Sequence, residues 1–358
     1  MPELPDVDVY VEHIAARTAG RALERVRLAS PFVLRTADPP PAALSGRSVS
    51  AVSRVGKRIV LTFAEKGAEK LHLVIHLMVA GRFKWKDRGA PIPNKVGLAA
   101  FDFDSGTLIL TEASTKKRAS LHVVRDAGLQ ALDPGGMEVL GSKLAAFAAR
   151  LRSENHTLKR ALTDPHLFSG IGNAYSDEIL HHAQMSPVKL TSRLTDDEIR
   201  QLHASIHVVL QEWTERLRKE AGDFPEKVTA FRPEMAVHGK YGKPCPRCGK
   251  PVQRIRYADN ESNYCPTCQT EGKLLADRSL SRLMRGDWPK TLEELEAKKT
   301  QARTTTTSAS AGSFAARAAS FIPTRTPEPS APTTSAPATT STPSAPKKRA
   351  AKRSPKAS

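Results

Sequence analysis

Cysteine is scarce in this 358-residue chain: there are four, all between positions 245 and 268. Such clustering excludes a disulfide framework spanning the molecule and favours metal as the use of the thiols. No apolar run approaches the ~20 residues needed to cross a bilayer and no secretory leader is visible, which argues against a membrane partner. The cytosol is the expected compartment, against the nucleoid if the source is bacterial. Aromatic residues make up only 5% of the chain, and acids are outnumbered by Lys and Arg, 37 to 55. The resulting formal charge of +18 suits a polyanionic partner.

The surplus is uneven. Residues 301–358 carry nine Lys/Arg against one acid, Glu328, so the tail holds +8 and residues 1–300 hold 18 − 8 = +10. From about Ala297 the composition collapses into Thr, Ser, Ala and Pro, too little of it apolar to offset the entropy of ordering. Residues 297–358 are therefore expected to be a disordered basic tail, either gripping phosphates without specificity or serving solubility.

Periodicity divides the rest. Pro5 and Asp6 suit a first helical turn, and Val7, Tyr10, Val11 and Ile14 form an apolar stripe behind it. Strand-like runs follow at Ser48–Phe63, Lys70–Trp85, Leu98–Glu112 and Ser120–Arg125. In Lys70–Met78, Leu71, Leu73, Ile75 and Leu77 point one way and His72, Val74, His76 and Met78 the other. Asp104-Ser105-Gly106 reads as a hairpin turn, and two packed antiparallel sheets are the expected solution. Residues 142–220 change to helical period, with a capping box at Thr195 and Glu198 opening the longest segment. Between two helices lies Leu167-Phe-Ser-Gly-Ile-Gly-Asn-Ala174. Its glycines permit a tight turn and close backbone approach to a ligand, just where a helix start would aim N–H groups at a phosphate. The fold class is α+β. The expected divisions are 1–135 (β-sandwich with a leading helix), 136–238 (helical), 239–272 (ribbon), 273–296 (a short helical extension, centred on Lys273–Met284) and 297–358 (the tail).

Two features carry chemistry on their own. The chain opens Met-Pro-Glu-Leu-Pro-Asp; loss of Met1 would expose the secondary amine of Pro2, which can attack an aldehyde-like carbon and form an iminium. Glu3 beside it is a proton donor or acceptor. Further on, Cys245-Pro-Arg-Cys248 and Cys265-Pro-Thr-Cys268 are two knuckles sixteen residues apart, the pattern of a closed tetrahedral site for one structural zinc. Arg254, Arg256 and Lys250 lie between the knuckles, where a finger loop meets a nucleic-acid backbone. The plain alternative is a ribbon that serves only as a clip.

Taken together and in this order, the Pro-Glu-Leu-Pro start, the internal lysine, the Gly-x-Gly-Asn turn and the Tyr-Cys-x-x-Cys-Gln ending at Gln269 resemble the formamidopyrimidine-DNA glycosylase / endonuclease VIII family over roughly residues 1–270. The resemblance implies an N-terminal two-sheet sandwich, a helix–two-turns–helix domain and a zinc ribbon. The partner would be damaged double-stranded DNA in the cleft between, bound by a monomer that excises an oxidised base and then cuts the backbone. Carried over by motif, Pro2 would be the nucleophile at the sugar C1′ and Glu3 the acid/base. Lys57, in Arg-Val-Gly-Lys-Arg (54–58), would contact phosphate and support catalysis. Asn173 would be another phosphate ligand, and Gly172 beside it and His76, matching the histidine of the family's His-Leu strand, would bind DNA. Asp6 stands where the family has a glutamate and, as a shorter carboxylate, is counted with the catalytic group.

Two further departures bear on which lesion is chosen. The guanine-lesion branch carries an Arg-Arg-Phe-Gly segment that fills the hole left by a flipped base; Thr111–Ser120 replaces it here without an aromatic. Met78 or Val79 could supply one wedge. The ribbon arginine of the family aligns with Asn260, leaving Arg254 or Arg256 as substitutes. Glu220–Tyr241, with Lys227, Phe231 and Arg232, is the expected base-recognition loop. Three readings follow: excision of formamidopyrimidines and possible 8-oxoguanine, a preference for oxidised pyrimidines or further-oxidised guanines, or a zinc-ribbon DNA binder without catalysis.

Overall fold

The computed structural model describes residues 1–65, 67–229, 231–257, 260–276 and 287–301. Helix α1 (Leu4–Thr18) leads into β1 (Leu23–Leu28), β2 (Val49–Val55), β3 (Arg58–Phe63), β4 (Leu71–His76), β5 (Gly81–Lys86), β6 (Gly97–Phe103), β7 (Gly106–Glu112) and β8 (Ser120–Val124). These strands form two antiparallel sheets, ordered β2-β3-β4-β8 and β1-β6-β7-β5. Their facing side chains interdigitate: Leu61, Leu73, Ile75, Leu121 and Val123 from the first, Phe83, Phe101, Phe103, Leu108 and Leu110 from the second. Tyr10 and Ile14 of α1 join that core. The alternation expected in β4 holds, since Leu71, Leu73, Ile75 and Leu77 point inward. Val74 turns outward to pack with Val60 and Val124 against α2 (Asp126–Leu132).

Two of the expected runs are each two strands. Ser48–Phe63 folds back at Gly56, whose φ of +60° is a left-handed turn conformation, and this places Lys57 on the turn rather than in a strand. Lys70–Trp85 crosses from one sheet to the other through Leu77–Ala80. Apolar residues in that turn hid it from pattern reading. Strand β1 and helix α2 escaped for the opposite reason. In β1 only Leu23 is buried while Arg25 and Arg27 pair with Asp102, and α2 buries no residue fully.

The helical part comprises α3 (Leu144–Arg152), α4 (Leu158–Thr163), α5 (Asn173–His182) and α6 (Asp196–Glu220). Phe147, Leu162, Phe168, Tyr175, Ile179, Leu202 and Ile206 fill its core. The capping box of α6 is formed: Glu198 N–H donates to Thr195 Oγ1 at 3.2 Å, and Thr195 N–H donates to the Glu198 carboxylate at 3.0 Å. Strands β9 (Gln253–Tyr257) and β10 (Asn260–Tyr264) with α7 (Pro266–Thr270) make the ribbon. Of the expected helical extension, residues 273–276 carry no regular structure, 277–286 fall outside the described residues, and 292–300 are helical. The tail from 302 onward is likewise outside the described residues.

Helix α1 straddles both cores. Leu4 belongs to the helical core, whereas Val7, Tyr10 and Ile14 belong to the sandwich. The first residues of the chain are thereby fixed at the seam, and Leu4 N–H donates to the Gly170 carbonyl of the glycine turn at 2.9 Å.

Candidate active site

Helix α5 starts with no side-chain cap of its own, because Gly172 occupies the N-cap. The orphan donors of that first turn are taken by Glu3. Its carboxylate accepts from Gly172 N–H at 2.8 Å, Ala174 N–H at 2.9 Å and Tyr175 N–H at 3.1 Å. A negative charge at a helix N-terminus is favourable both as a hydrogen-bond acceptor and through the helix dipole. A residue from the start of the chain therefore completes a helix some 170 positions later, and Glu3 is left 2% exposed.

Gly172 is required for this approach. A Cβ built there would lie 2.5 Å from Glu3 Cδ and Oε1 and 2.7 Å from Lys57 Nζ. The same numbers place the Lys57 ammonium beside the Glu3 carboxylate. Burial lowers the Lys57 pKa, opposed by Glu3 and reinforced by Lys159. Glu3 N–H donates to Asp6 Oδ2 at 3.0 Å, and Asp6 Oδ1 accepts from Arg232 Nη2 at 3.2 Å. Burial pushes the Asp6 carboxyl up to about 6 despite that arginine. Asp6 is 3% exposed, so it orients the Glu3 backbone and does not reach into the open. Arg232 is likewise committed, to Asp6 and to Glu220 at 3.0 Å. Among the described residues of the expected recognition loop, Phe231 is the most exposed aromatic, at 70% against 44% for Tyr241.

Pro2 is buried beside this group. Burial lowers the pKa of the neighbouring Met1 α-amino group, with Glu3 opposing and Arg82 and Lys57 adding to the depression. His76, at the end of β4, is held down to about 4, first by burial and then by the charges of Arg58, Lys57 and His122. Across the sheet Arg58 stands opposite His76, and His76 opposite Ser120. The side chains of Lys57, Arg58, His76 and His122 make no hydrogen bond or ion pair with any described residue. Lys57 and Arg58 bring positive charge to this strip, and burial keeps His76 and His122 toward their neutral forms. Arg58 and His122 were not anticipated; their signal was β-sheet neighbourhood, which one-dimensional alternation does not show.

Met78 adopts φ +51° in the turn after β4, and Val79 beside it is 57% exposed. A left-handed backbone at a non-glycine residue costs of order ~1 kcal/mol, and here it makes the turn project. Asn173 opens α5, and its backbone carbonyl accepts from Lys159 Nζ. On the ribbon, Arg254 lies over the Tyr241 ring at 4.3 Å and pairs with Glu261 at 3.4 Å. Arg256 stands opposite Glu261 in the hairpin, and Asn260 opposite Tyr257 at its far end.

The four cysteine sulfurs of Cys245, Cys248, Cys265 and Cys268 all lie within 4.8 Å of one another. A tetrahedral zinc with Zn–S bonds of ~2.3 Å needs S···S separations of ~3.8 Å; the pairs Cys248–Cys265 at 3.4 Å and Cys245–Cys268 at 4.0 Å bracket that value. The donor set fits the ion, and four thiolates leave it no open position, so it serves structure. The ribbon is bolted to α5 by two adjacent acids that sequence reading passed over. Asp177 accepts from Lys159 Nζ at 2.5 Å, His238 Nδ1 at 2.9 Å, Asn263 N–H at 3.1 Å and Ser262 Oγ at 3.2 Å. Glu178 accepts from the backbone N–H groups of Ala236, Val237 and His238. Residues 174–181 are buried on every side, and charged residues in such a helix must be partnered.

Comparisons with known proteins agree with this architecture. Residues 1–118 match the formamidopyrimidine-DNA glycosylase N-terminal domain, residues 136–221 the formamidopyrimidine-DNA glycosylase H2TH domain, and residues 242–270 the zinc finger found in FPG and IleRS. With that last match, the four cysteines are the ligands of one structural zinc. The formamidopyrimidine-DNA glycosylase of Thermus thermophilus is 32% identical over 282 residues, covering 76% of this chain and 100% of the relative. That of Desulforamulus reducens is 30% identical, covering 75% and 99%. Among solved structures, the Lactococcus lactis Fpg in complex with abasic-site DNA superimposes with a TM-score of 0.65 at 26% identity, covering 75% of this chain and 99% of that one. The chain belongs to the formamidopyrimidine-DNA glycosylase family.

Proposed function

We propose that this protein is a base excision repair enzyme: a DNA glycosylase for oxidised bases that also cuts the abasic site it creates. The single observation that carries the reading is Glu3, a carboxylate held by three N–H donors at a helix start, next to Pro2 and within reach of Lys57. Such a group is placed to move protons, with its position fixed before substrate arrives.

With Met1 removed, the amine of Pro2 takes over a site where burial, Arg82 and Lys57 depress a nearby α-amino group. A reference α-amino group titrates near ~8, so depression leaves a neutral nucleophile at neutral pH. The damaged nucleotide leaves the stack, since its C1′ is out of reach inside the duplex. Pro2 nitrogen attacks C1′, the N-glycosidic bond breaks and the base departs with a proton. The Glu3 carboxylate takes the proton that the Pro2 nitrogen sheds on attack, the base drawing its own from water, and delivers it to the ring oxygen as the ring opens, giving an iminium that acidifies C2′. Loss of the C2′ proton expels the 3′ phosphate, and a second elimination releases the 5′ phosphate. Lys57, His76 and Asn173 hold the flanking phosphates, and Arg254 or Arg256 adds a contact from the ribbon. Formamidopyrimidines head the substrate class. Oxidised pyrimidines are the second reading, favoured by the loop at Thr111–Ser120, which lacks an aromatic; one solved relative, the Lactococcus lactis Fpg, was captured with DNA containing an oxidised pyrimidine. The molecule acts as a monomer in the compartment that holds the DNA.

Borohydride trapping on abasic duplex tests the chemistry. The wild type should give a covalent protein–DNA adduct, and Pro2→Gly should lose adduct and strand cutting while still binding. Unchanged trapping by Pro2→Gly, or an initiator methionine retained on the active protein, would overturn the assignment.

A further inference from the structure

Swinging a base out of a duplex leaves a hole in the stack, and proteins that distort DNA in this way commonly fill it with an apolar or aromatic wedge. The loop from Ala113 to Ala119 offers only small and cationic side chains. It is wrapped around Glu112, whose carboxylate accepts from the N–H groups of Arg118 and Ala119. Phe32 lies at the base of that loop. It is 81% exposed, the most exposed large apolar side chain among the described residues.

Its placement follows from the hydrogen bonds on either side. Ala29 N–H and Ser30 N–H both donate to the Leu98 carbonyl, and Leu98 lies beside Gly97, which pairs with Thr111 next to the start of the loop. Leu34 bridges to Leu121, and Arg35 N–H donates to the Leu121 carbonyl at 2.8 Å, one residue past Ser120. The Pro31–Val33 turn thus spans both ends of the loop, and Val33 beneath it is buried. On the loop's other flank is the Met78 turn, because Gly81 pairs with Glu112 and His76 with Ser120. At ~4.8 Å per strand, the Phe32 turn and the Met78 turn are separated by two intervals through β4, β8 and Leu34 and by three through β5, β7, β6 and β1. The unpaired row Arg58, His76, His122 crosses the sheet toward Arg35, which is exposed and makes no side-chain hydrogen bond or ion pair with a described residue. Arg35, at the end of that row, lies three residues after Phe32 in the chain.

We propose that Phe32 is a wedge this chain inserts at the lesion, stacking into the gap opened when the damaged nucleotide is displaced. This rests on the repair reading above. It assigns to a preceding segment the aromatic role that the Ala113–Ala119 loop cannot fill. Phe32 then acts in holding the duplex open and has no part in bond breaking.

The test separates those two steps. Phe32→Ala should slow excision from a duplex carrying one formamidopyrimidine by about fivefold or more, the low end of what one stacked aromatic is worth. On the same duplex with a preformed abasic site, where no base must be held out, cutting should stay within about threefold of wild type. Phe32→Trp should restore excision, and its extra emission over the wild-type background should be quenched by lesion duplex. Excision by Phe32→Ala at the wild-type rate, or unquenched Trp emission at saturation, overturns the wedge. A wild type that neither excises nor cuts would instead defeat the repair reading, and quenching of the Trp variant by abasic duplex would still decide the wedge.

Discussion

Replacing Gly172 by alanine adds one methyl group where two functional side chains already stand. The backbone there has φ −133° and ψ −157°, which alanine adopts freely, so the perturbation is steric and not conformational. The added carbon would sit 2.5 Å from the Glu3 carboxyl and 2.7 Å from Lys57 Nζ. Ordinary carbon contacts are ~3.5 Å or longer, so something must move by ~1 Å. Lys57 can swing aside on its flexible stem. Glu3 cannot move cheaply, because three N–H donors hold it, one of them belonging to residue 172 itself. A displacement of that size costs ~100-fold when it falls on a reacting group, and overpacking of this kind costs ~1–3 kcal/mol in stability. Gly172→Ala should therefore lose about two orders of magnitude in single-turnover cutting of abasic duplex. Its unfolding transition should still be cooperative, and its DNA affinity should change far less than its rate. Rates of borohydride-trapped adduct formation, measured with enzyme in excess, read the chemical step directly. A variant that traps and cuts at the wild-type rate would show that Glu3 is not where the chemistry needs it, and the reasoning would fail.

Two further outcomes follow from buried charge. His76, neutral in the free protein with its pKa near 4 against an ordinary 6.5, is protonated in the unfolded chain but not the folded one between those values. Its contribution to stability is thus present above ~6.5 and is lost as pH falls through 4. A bound phosphate reverses the preference, so DNA binding should take up a proton and tighten as pH falls from ~6.5. Titration calorimetry in buffers of different ionisation heat should show this, and His76→Gln should reduce the uptake to the share carried by His122; a buffer-independent heat in the wild type would refute the placement of phosphate on this row. Asp177→Asn should leave Lys159, itself 5% exposed, without its charged partner and with only the Asn173 carbonyl, at a cost of ~3 kcal/mol or more. Faster zinc release to a chelator is the expected accompaniment, and unaltered release would mean that the ribbon is held elsewhere.

Much of this was legible in one dimension because it depends on spacing along the chain. The two cysteine knuckles, the Thr195–Glu198 box and the inward stripe of β4 each follow from local rules, and each is present. What could not be read is what depends on long-range juxtaposition. Arg58 and His122 reach the same strip as His76 only through strand pairing. Asp177 and Glu178 look like the polar side of an amphipathic helix until the ribbon covers them. Arg232, expected in a base-recognition loop, is spent on Asp6 and Glu220. Strand β1 was invisible because its outward positions are arginines satisfied by Asp102. In each case the partner's distance in sequence, and not the residue's character, was the missing information.

Helix α5 is ten residues long, a rod of ~15 Å. Glu3 is seated on its first turn, the ribbon is gripped at its middle, and His181 near its end touches Cys245 Sγ at 3.2 Å. The metal knot and the proposed reaction centre are therefore coupled by one stiff strut. Depleting the ion should be felt as misalignment at the far end, so that an apo-protein still able to find DNA would do so with blunted chemistry, and metal supply would gate repair before it gates recognition.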